Sequence, residues 1–309
     1  MFFITFVTIQ YGQYDRISNQ NRVMYNLVKS FLLALGTVSL MFLLGNKGYA
    51  ASLNSGQTTR IVTVGTGSSQ QQRQYILYVP SNPINEVVLA FHGGGGNPTQ
   101  FIGQTDLENF SELSKFIVAF PYGTPADPNT PNNVLTWNAG FCCGQALAQN
   151  VDEAAFVTAI ESDISTLLGK TSPNFYGTGF SNGALLVEML AEQNPSLFNA
   201  IAPVAGTYKG VASNTFNQTS TAASPFPPNQ PPLPPDPTIT SAMQTDALLI
   251  HGVQDPNIPY YGGTQTESLS PNTAPITVPA FDEGDFNFWQ RVNGCENPIQ
   301  SEQFPKKLQ

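Results

Sequence analysis

The chain has 309 residues, a net charge of −9 and only 12 Lys and Arg. That balance argues against nucleic acid as a partner, because its phosphates are met by clustered cations. Charged residues make up 11% beside 25 Pro and 26 Gly, so the surface is largely uncharged loop, as suits an extracellular protein acting on neutral polymer.

At the N-terminus, Lys29 precedes an apolar run from Phe31-Leu32-Leu33 to Met41-Phe42-Leu43-Leu44. Gly48-Tyr49-Ala50 then puts small residues at the outer positions of an A-x-A-like site. This is the layout of a secretory signal peptide over 24–50, starting at Met24 and cleaved after Ala50. Residues 1–23 do not belong to it and read as a mis-assigned start outside the folded domain. Gly36 interrupts the run and polar sequence follows, so no permanent membrane span is expected after cleavage. No cysteine stands at the cleavage point to take a lipid. Residues 51–309 suffice for one core and one secreted catalytic domain.

Strand signals begin with Tyr75-Ile76-Leu77-Tyr78-Val79, closed by Pro80. Glu86 to Phe91 is an apolar run too short for a helix, and it empties into His92-Gly93-Gly94-Gly95-Gly96. Four glycines after a strand leave backbone N–H groups bare, as an acyl-transfer site needs where an oxyanion forms. No Lys-Ser or Lys-Thr pair follows them, which disfavours phosphate cradling. Phe116 to Phe120 is a further strand. Trp137 and Asn138 lie in a loop with Cys142 and Cys143, where Trp137 either walls a substrate pocket or locks the loop against the sheet; the second reading is favoured. Asp152 opens a helix over Val151 to Leu168, in which Val157, Ile160, Ile164, Leu167 and Leu168 recur at helical spacing as a core stripe.

Pro173 to Thr178 reads as a buried strand and Ala184 to Leu190 as a helix, with Gly179-Phe180-Ser181-Asn182-Gly183 between them. Strand, G-x-S-x-G, helix is the nucleophile elbow, a strained turn that lifts a serine hydroxyl clear of the sheet. Ser181 is therefore the predicted nucleophile, and the amides of Gly94 and Asn182 the predicted oxyanion hole. Ala200 to Ala205 is the next strand. Residues 215–237 are Ser/Thr/Asn-rich and then Pro-rich, and read as a surface loop rather than an interdomain linker, because a core strand follows. That strand, Leu248-Leu249-Ile250, ends at His251, and Asp255 follows on the loop. A carboxylate there can hold an imidazole in its working tautomer; the simpler alternative is a turn before Pro256. Alternating strands and helices predict an α/β fold, a mostly parallel central sheet with helices on both faces.

Several ordered blocks resemble one family. They are Phe91-His92-Gly93-Gly94-Gly95-Gly96-Asn97, Phe120-Pro121-Tyr122-Gly123, Trp137-Asn138-Ala139-Gly140-Phe141-Cys142-Cys143-Gly144, Val151-Asp152-Glu153, the elbow, His251-Gly252 through Asp255 to Tyr261-Gly262-Gly263, and Phe288-Trp289 with Asn293-Gly294-Cys295. From about Tyr75 to Cys295 the chain is similar to the secreted polyhydroxybutyrate-depolymerase and feruloyl-esterase-like α/β-hydrolases. The resemblance implies an α/β-hydrolase fold, no metal or organic cofactor, and hydrolysis of polymer-linked or small esters through an acyl-enzyme on Ser181.

One part of the family pattern is missing. Its members carry a catalytic histidine in a Gly-His-x-Trp-Pro-like segment beyond the Asn-Gly-Cys block, whereas here no histidine follows Asp255 and only His92 and His251 exist. Neither stands at the place of a general base, and both read as loop anchors. Three cysteines leave one unpaired, and the adjacent Cys142 and Cys143 are poorly placed to bridge each other. Two readings follow: an esterase domain lacking its C-terminal segment, or a base-free relative that binds an ester or glycan without turnover.

Overall fold

The computed structural model describes residues 3–9, 54–127, 129, 134–169, 172–208, 211–212, 245–264, 276–278, 280–281, 285–293 and 301–305. The predicted signal peptide, the Pro-rich stretch and Cys295 lie outside them. Fourteen strands occur among the described residues: β1 (Phe3–Ile9), β2 (Gly56–Val64), β3 (Gln71–Val79), β4 (Glu86–Phe91), β5 (Ile117–Pro121), β6 (Thr124–Pro125), β7 (Leu135–Thr136), β8 (Asn174–Phe180), β9 (Ala200–Val204), β10 (Val211–Ala212), β11 (Asp246–Gly252), β12 (Gly263–Thr264), β13 (Ile276–Val278) and β14 (Ser301–Pro305). The helices are α1 (Pro98–Thr105), α2 (Leu107–Ser114), α3 (Gly144–Ala148), α4 (Glu153–Leu168), α5 (Asn182–Gln193) and α6 (Asn287–Val292).

Nine strands form one sheet in the order β14-β1-β11-β9-β8-β4-β5-β3-β2. Its centre, β11-β9-β8-β4-β5, is parallel, as the alternation of strands and helices predicts. Antiparallel β2 and β3 close one edge, and antiparallel β1 and β14 the other. Every residue of β4 and β5 is buried, the signature of strands covered on both faces.

Helices flank both faces. Val87, Leu89 and Phe91 point to one side, with Phe156, Val157, Ile160 and Ile164 of α4 and Leu186, Val187 and Leu190 of α5. Val88, Ala90, Val118 and Phe120 point to the other, with Phe101 of α1. The stripe predicted on α4 is therefore core, and Asp152 caps that helix by accepting from the Ala155 amide at 2.9 Å. Gly169, in the left-handed region at φ 60°, ends it.

Near the N-terminus, β1 pairs with β11 from Ile4 against Gly252 to Ile9 against Ala247. Its sequence, Phe-Ile-Thr-Phe-Val-Thr-Ile, is β-branched and aromatic throughout, and β11 offers it an edge. One expectation needs correction: Cys142 and Cys143, read as poorly placed to bridge each other, are bonded to each other. Both are buried in a small cluster with Ala139, Leu185 and Ile258, and the Cys143 amide donates to the Trp137 carbonyl at 3.0 Å, which closes the turn around them.

Candidate active site

The strand β8 ends at Phe180 and α5 begins at Asn182, so Ser181 alone makes the turn. Its backbone sits at φ 51° and ψ −120°, a conformation that a non-glycine residue adopts only when its surroundings impose it. The surroundings are two close backbone approaches. A Cβ on Gly179 would come within 2.5 Å of the Gly183 carbonyl carbon and oxygen. One on Gly183 would lie 2.6 Å from the His92 carbonyl oxygen and closer still to that of Phe91. The Ser181 amide donates to the Val204 carbonyl at 2.9 Å, which ties the elbow to β9.

The glycine loop after β4 lies against this turn. A Cβ on Gly94 would contact Asn182 Cβ at 3.4 Å, and one on Gly93 would lie 3.0 Å from the Phe180 ring. Gly95 donates its amide to Leu135 O and Gly96 its amide to Gly93 O, which leaves the Gly94 amide without a protein acceptor among the described residues. Gly94 and Asn182 are thus brought together beside Ser181.

Asn182 is fully buried, and its amide side chain is paired twice with the backbone of Trp137: Oδ1 accepts from Trp137 N at 2.8 Å, and Nδ2 donates to Trp137 O at 3.1 Å. Trp137 in turn donates its indole Nε1–H to His92 O at 2.9 Å and packs edge-on against Phe91. Having no exposed surface, Trp137 ties the elbow to the glycine loop instead of walling a pocket.

His92 has both ring nitrogens engaged. The Gly123 amide donates to Nε2 at 3.2 Å, so Nδ1 carries the proton and donates to Gly93 O at 2.8 Å. Burial pushes its pKa down to about 4, against a small opposing effect of the Gly93 carbonyl. His251 points to the same sheet face as Leu249, against Tyr260 and Phe281. Its Nε2–H donates to Ile258 O at 2.7 Å. Its Nδ1 has no hydrogen bond of ordinary geometry, and burial lowers its pKa. The His92 ring is fixed in the loop after β4, and the His251 ring is held at the end of β11 by Ile258 O.

Asp255 follows β11, whose C-terminal end lies at the same sheet edge as those of β8 and β9. Oδ1 accepts from the Asn257 and Ile258 amides at 2.8 and 2.9 Å, so the residue does shape the turn. Oδ2 stands 3.9 Å from His251 Nε2, too far for a hydrogen bond.

A further buried group had only the Phe288-Trp289 pair as a sequence signal. Glu188 of α5 and Asp285 are both buried, and Trp289 Nε1 donates to Glu188 Oε2 at 3.3 Å. Asp285 accepts from the Tyr208 amide, in the turn two residues beyond Gly206. Burial raises both carboxyl pKa values, that of Asp285 to about 7, and the Asp285 charge raises that of Glu188 further. From the ordinary 3.8 up to about 7, the unfolded chain releases a proton that the folded Asp285 keeps, so stability falls as pH rises through that window. His92 acts oppositely: held at about 4 against an ordinary 6.5, it makes stability rise with pH between those values. Asp285→Asn isolates the first effect. Relative to the parent, the variant is expected to be more stable at pH 8 than at pH 5, read from urea midpoints; an equal difference at both would mean Asp285 titrates normally.

The sequence pattern of the Prolyl oligopeptidase family matches residues 170–268, which include the elbow, β9 and the Asp255 loop. Feruloyl esterase B from Thermothelomyces thermophilus is 27% identical over 168 residues, 53% of this chain and 53% of that protein. Feruloyl esterase B from Talaromyces stipitatus is 29% identical over 146 residues, 45% of this chain and 37% of the relative. The chain has the α/β-hydrolase fold, and over about half its length it is similar to these feruloyl esterases. It spans about half the length of the first relative and less of the second. Among solved structures, an acetyl xylan esterase from Aspergillus awamori is similar with a TM-score of 0.37 and 22% identity, over 48% of this chain and 52% of that one. No helix among the described residues is long and apolar enough to cross a membrane, and no cluster of His, Cys, Asp and Glu among them is arranged to hold a metal ion.

Proposed function

We propose that this α/β-hydrolase is a secreted serine carboxylesterase whose nucleophile is Ser181. The observation that carries the reading is the positive φ of Ser181 between two glycines that admit no Cβ, beside a glycine loop with a free amide. Ser181 Oγ attacks the ester carbonyl, the amides of Gly94 and Asn182 receive the oxyanion, and the alcohol leaves from an acyl-enzyme that water then hydrolyses. Asp255 stands at the right sheet edge to orient an imidazole. The relatives named feruloyl esterase B support aryl esters of plant-wall polysaccharide as the substrate class. Acetyl esters and polyhydroxyalkanoate are the further candidates, and the signal-peptide pattern over 24–50 supports export with Ala51 as the first residue.

A second reading is favoured by the two histidines. With the His92 ring held between Gly93 O and the Gly123 amide and the His251 ring held at the end of β11, neither takes the proton from Ser181, and the chain is a base-free relative that binds an ester or glycan without turnover. Oxyanion stabilisation and binding alone leave ~10³-fold acceleration over water. The test compares the parent chain with Ser181→Ala on methyl ferulate and p-nitrophenyl acetate. Weak turnover that Ser181→Ala lowers, though not to the uncatalysed rate, is expected if Ser181 is the nucleophile, since binding and oxyanion stabilisation survive the substitution. Equal weak rates would favour the second reading, and strong Ser181-dependent turnover would mean that a histidine serves as base.

A further inference from the structure

The central sheet ends on one side at β2, and among the described residues no strand pairs with the outer edge of β2. Alternate residues of that strand therefore turn their N–H and C=O groups outward, a template for one more strand. Sheet edges are ordinarily blunted by short length, lysine, proline or a bulge. The opposite edge strand, β14, is five residues long and contains Glu302 and Pro305. None of these devices occurs in β2. It runs for nine residues, Gly-Gln-Thr-Thr-Arg-Ile-Val-Thr-Val, in unbroken register with β3 from Gly56 against Val79 to Val64 against Gln71. Its one charge is already paired, since the Arg60 guanidinium donates to Asp163 of α4 at 2.5 and 2.8 Å.

The two faces of β2 differ. Val62 is buried in the core cluster that includes Ile160 and Ile164 of α4, and Val64 packs against the same cluster. On the opposite face Thr59, Ile61 and Thr63 are exposed, and Ile61 shows 58% of its surface to solvent. Thr63 accepts from Gln72 Nε2 at 2.8 Å. Ile61 stands opposite Gln74, so its cross-strand partner gives it no apolar cover.

We propose that the outer edge of β2 pairs with β2 of a second copy of this chain, antiparallel about a two-fold axis that sets Ile61 opposite its own counterpart. In an antiparallel pair only residues with the same hydrogen-bonding direction face each other, so one residue must meet itself across the axis. Centred on Ile61, the register opposes Thr59 to Thr63, Arg60 to Val62 and Thr58 to Val64. It buries the two exposed isoleucines against each other and opposes no like charges. Centring on Arg60 would bring two guanidiniums face to face, and centring on Val62 would leave each Ile61 opposite a threonine. β2 lies four strands from β8, so the pairing is remote from the elbow of either copy. One strand pair is a small interface, which puts the dimer in the micromolar range.

The test is sedimentation velocity of the purified protein from ~1 to ~100 μM. The parent is expected to pass from monomer to dimer across that range. Ile61→Lys sets like charges directly opposite each other. It is expected to raise the dissociation constant ~10-fold or more, with an unchanged circular-dichroism melt at a concentration where both proteins are monomeric. A second readout fixes the register, in a Cys295→Ser background. Opposite Cα atoms lie ~4.5–5.5 Å apart, within disulfide reach, so oxidised Ile61→Cys is expected to form a cross-linked dimer. Thr59→Cys is not, because its counterpart lies ~13 Å away along the strand. A parent that stays monomeric up to ~100 μM would overturn the proposal. So would a dimer that Ile61→Lys leaves intact, or cross-linking of Thr59→Cys as strong as that of Ile61→Cys.

Discussion

Gly183→Ala is expected to cost about 3 kcal/mol of stability and to abolish covalent labelling of Ser181. The added methyl would lie 2.6 Å from the His92 carbonyl oxygen and nearer to that of Phe91, both of them backbone atoms of a buried strand end that cannot rotate aside. The only relief is separation of α5 from the end of β4. That movement carries Asn182 away from Gly94, so the same substitution that weakens the fold takes apart the proposed oxyanion hole. Gly252→Ala is the matched control, because nothing lies within 4 Å of its Cβ position. It is expected to change stability by no more than about 0.5 kcal/mol. Urea unfolding of the two variants beside the parent makes the comparison, and equal losses would show that close approach at Gly183 is not what holds the elbow.

Arg73→Met is expected to cost about 3–5 kcal/mol near neutral pH, because it strands a buried charge. Arg73 on β3 donates to Glu153 Oε2 at 3.0 Å and to Tyr122 O at 3.1 Å, and its guanidinium lies 3.8 Å from the centre of the Phe156 ring. Glu153, at the first turn of α4, is buried, and its other oxygen accepts from the Asn138 amide at 3.2 Å. Burial already raises the Glu153 pKa, with Arg73 opposing it. Removing the cation raises it further. While Glu153 is protonated in both folded proteins the loss is small; it grows as pH rises from the parent's folded Glu153 pKa, already above the ordinary carboxylate range, and is full only above the variant's still higher one. Arg73→Met with Glu153→Gln is expected to recover part of the stability, since no buried charge is left unpaired. An Arg73→Met loss independent of pH would point to packing on Phe156 instead. Because Asn138 adjoins Trp137, the ion pair also supports the loop whose backbone holds Asn182.

The elbow was legible because its chemistry is local. Ser181 needs glycines two residues away on each side, and a strand and a helix beyond them, and all of that lies in one short run of sequence. The glycine run after β4, the parallel order of the central strands and the core stripe of α4 were legible for the same reason, since periodicity and turn residues are local. Asp255 was legible as a loop carboxylate and turn former after a strand, but its particular partners, the Asn257 and Ile258 amides, reach it only when the turn is folded.

Other features were decided by contacts between distant segments. Trp137 carried no local sign of its partners, and 45 residues separate it from both His92 and Asn182. Its burial follows from where three loops converge above the sheet. The pairing of Cys142 with Cys143 depends on a turn buried against Leu185 and Ile258. The inclusion of Phe3–Ile9 depends on the edge that β11 presents, which no pattern within those residues reveals. Nothing in the sequence singled out Glu188 and Asp285, and only the packing of α5 against the residues around Trp289 buries them together. By itself the sequence determined the G-x-S-x-G turn, the α/β alternation and the scarcity of histidine, all of them properties of residue type and spacing. The burial of both histidines, the tie from Trp137 to the elbow and the place of β2 at the edge of the sheet were decided only in the tertiary structure, because burial and long-range hydrogen bonding depend on which segments meet in space.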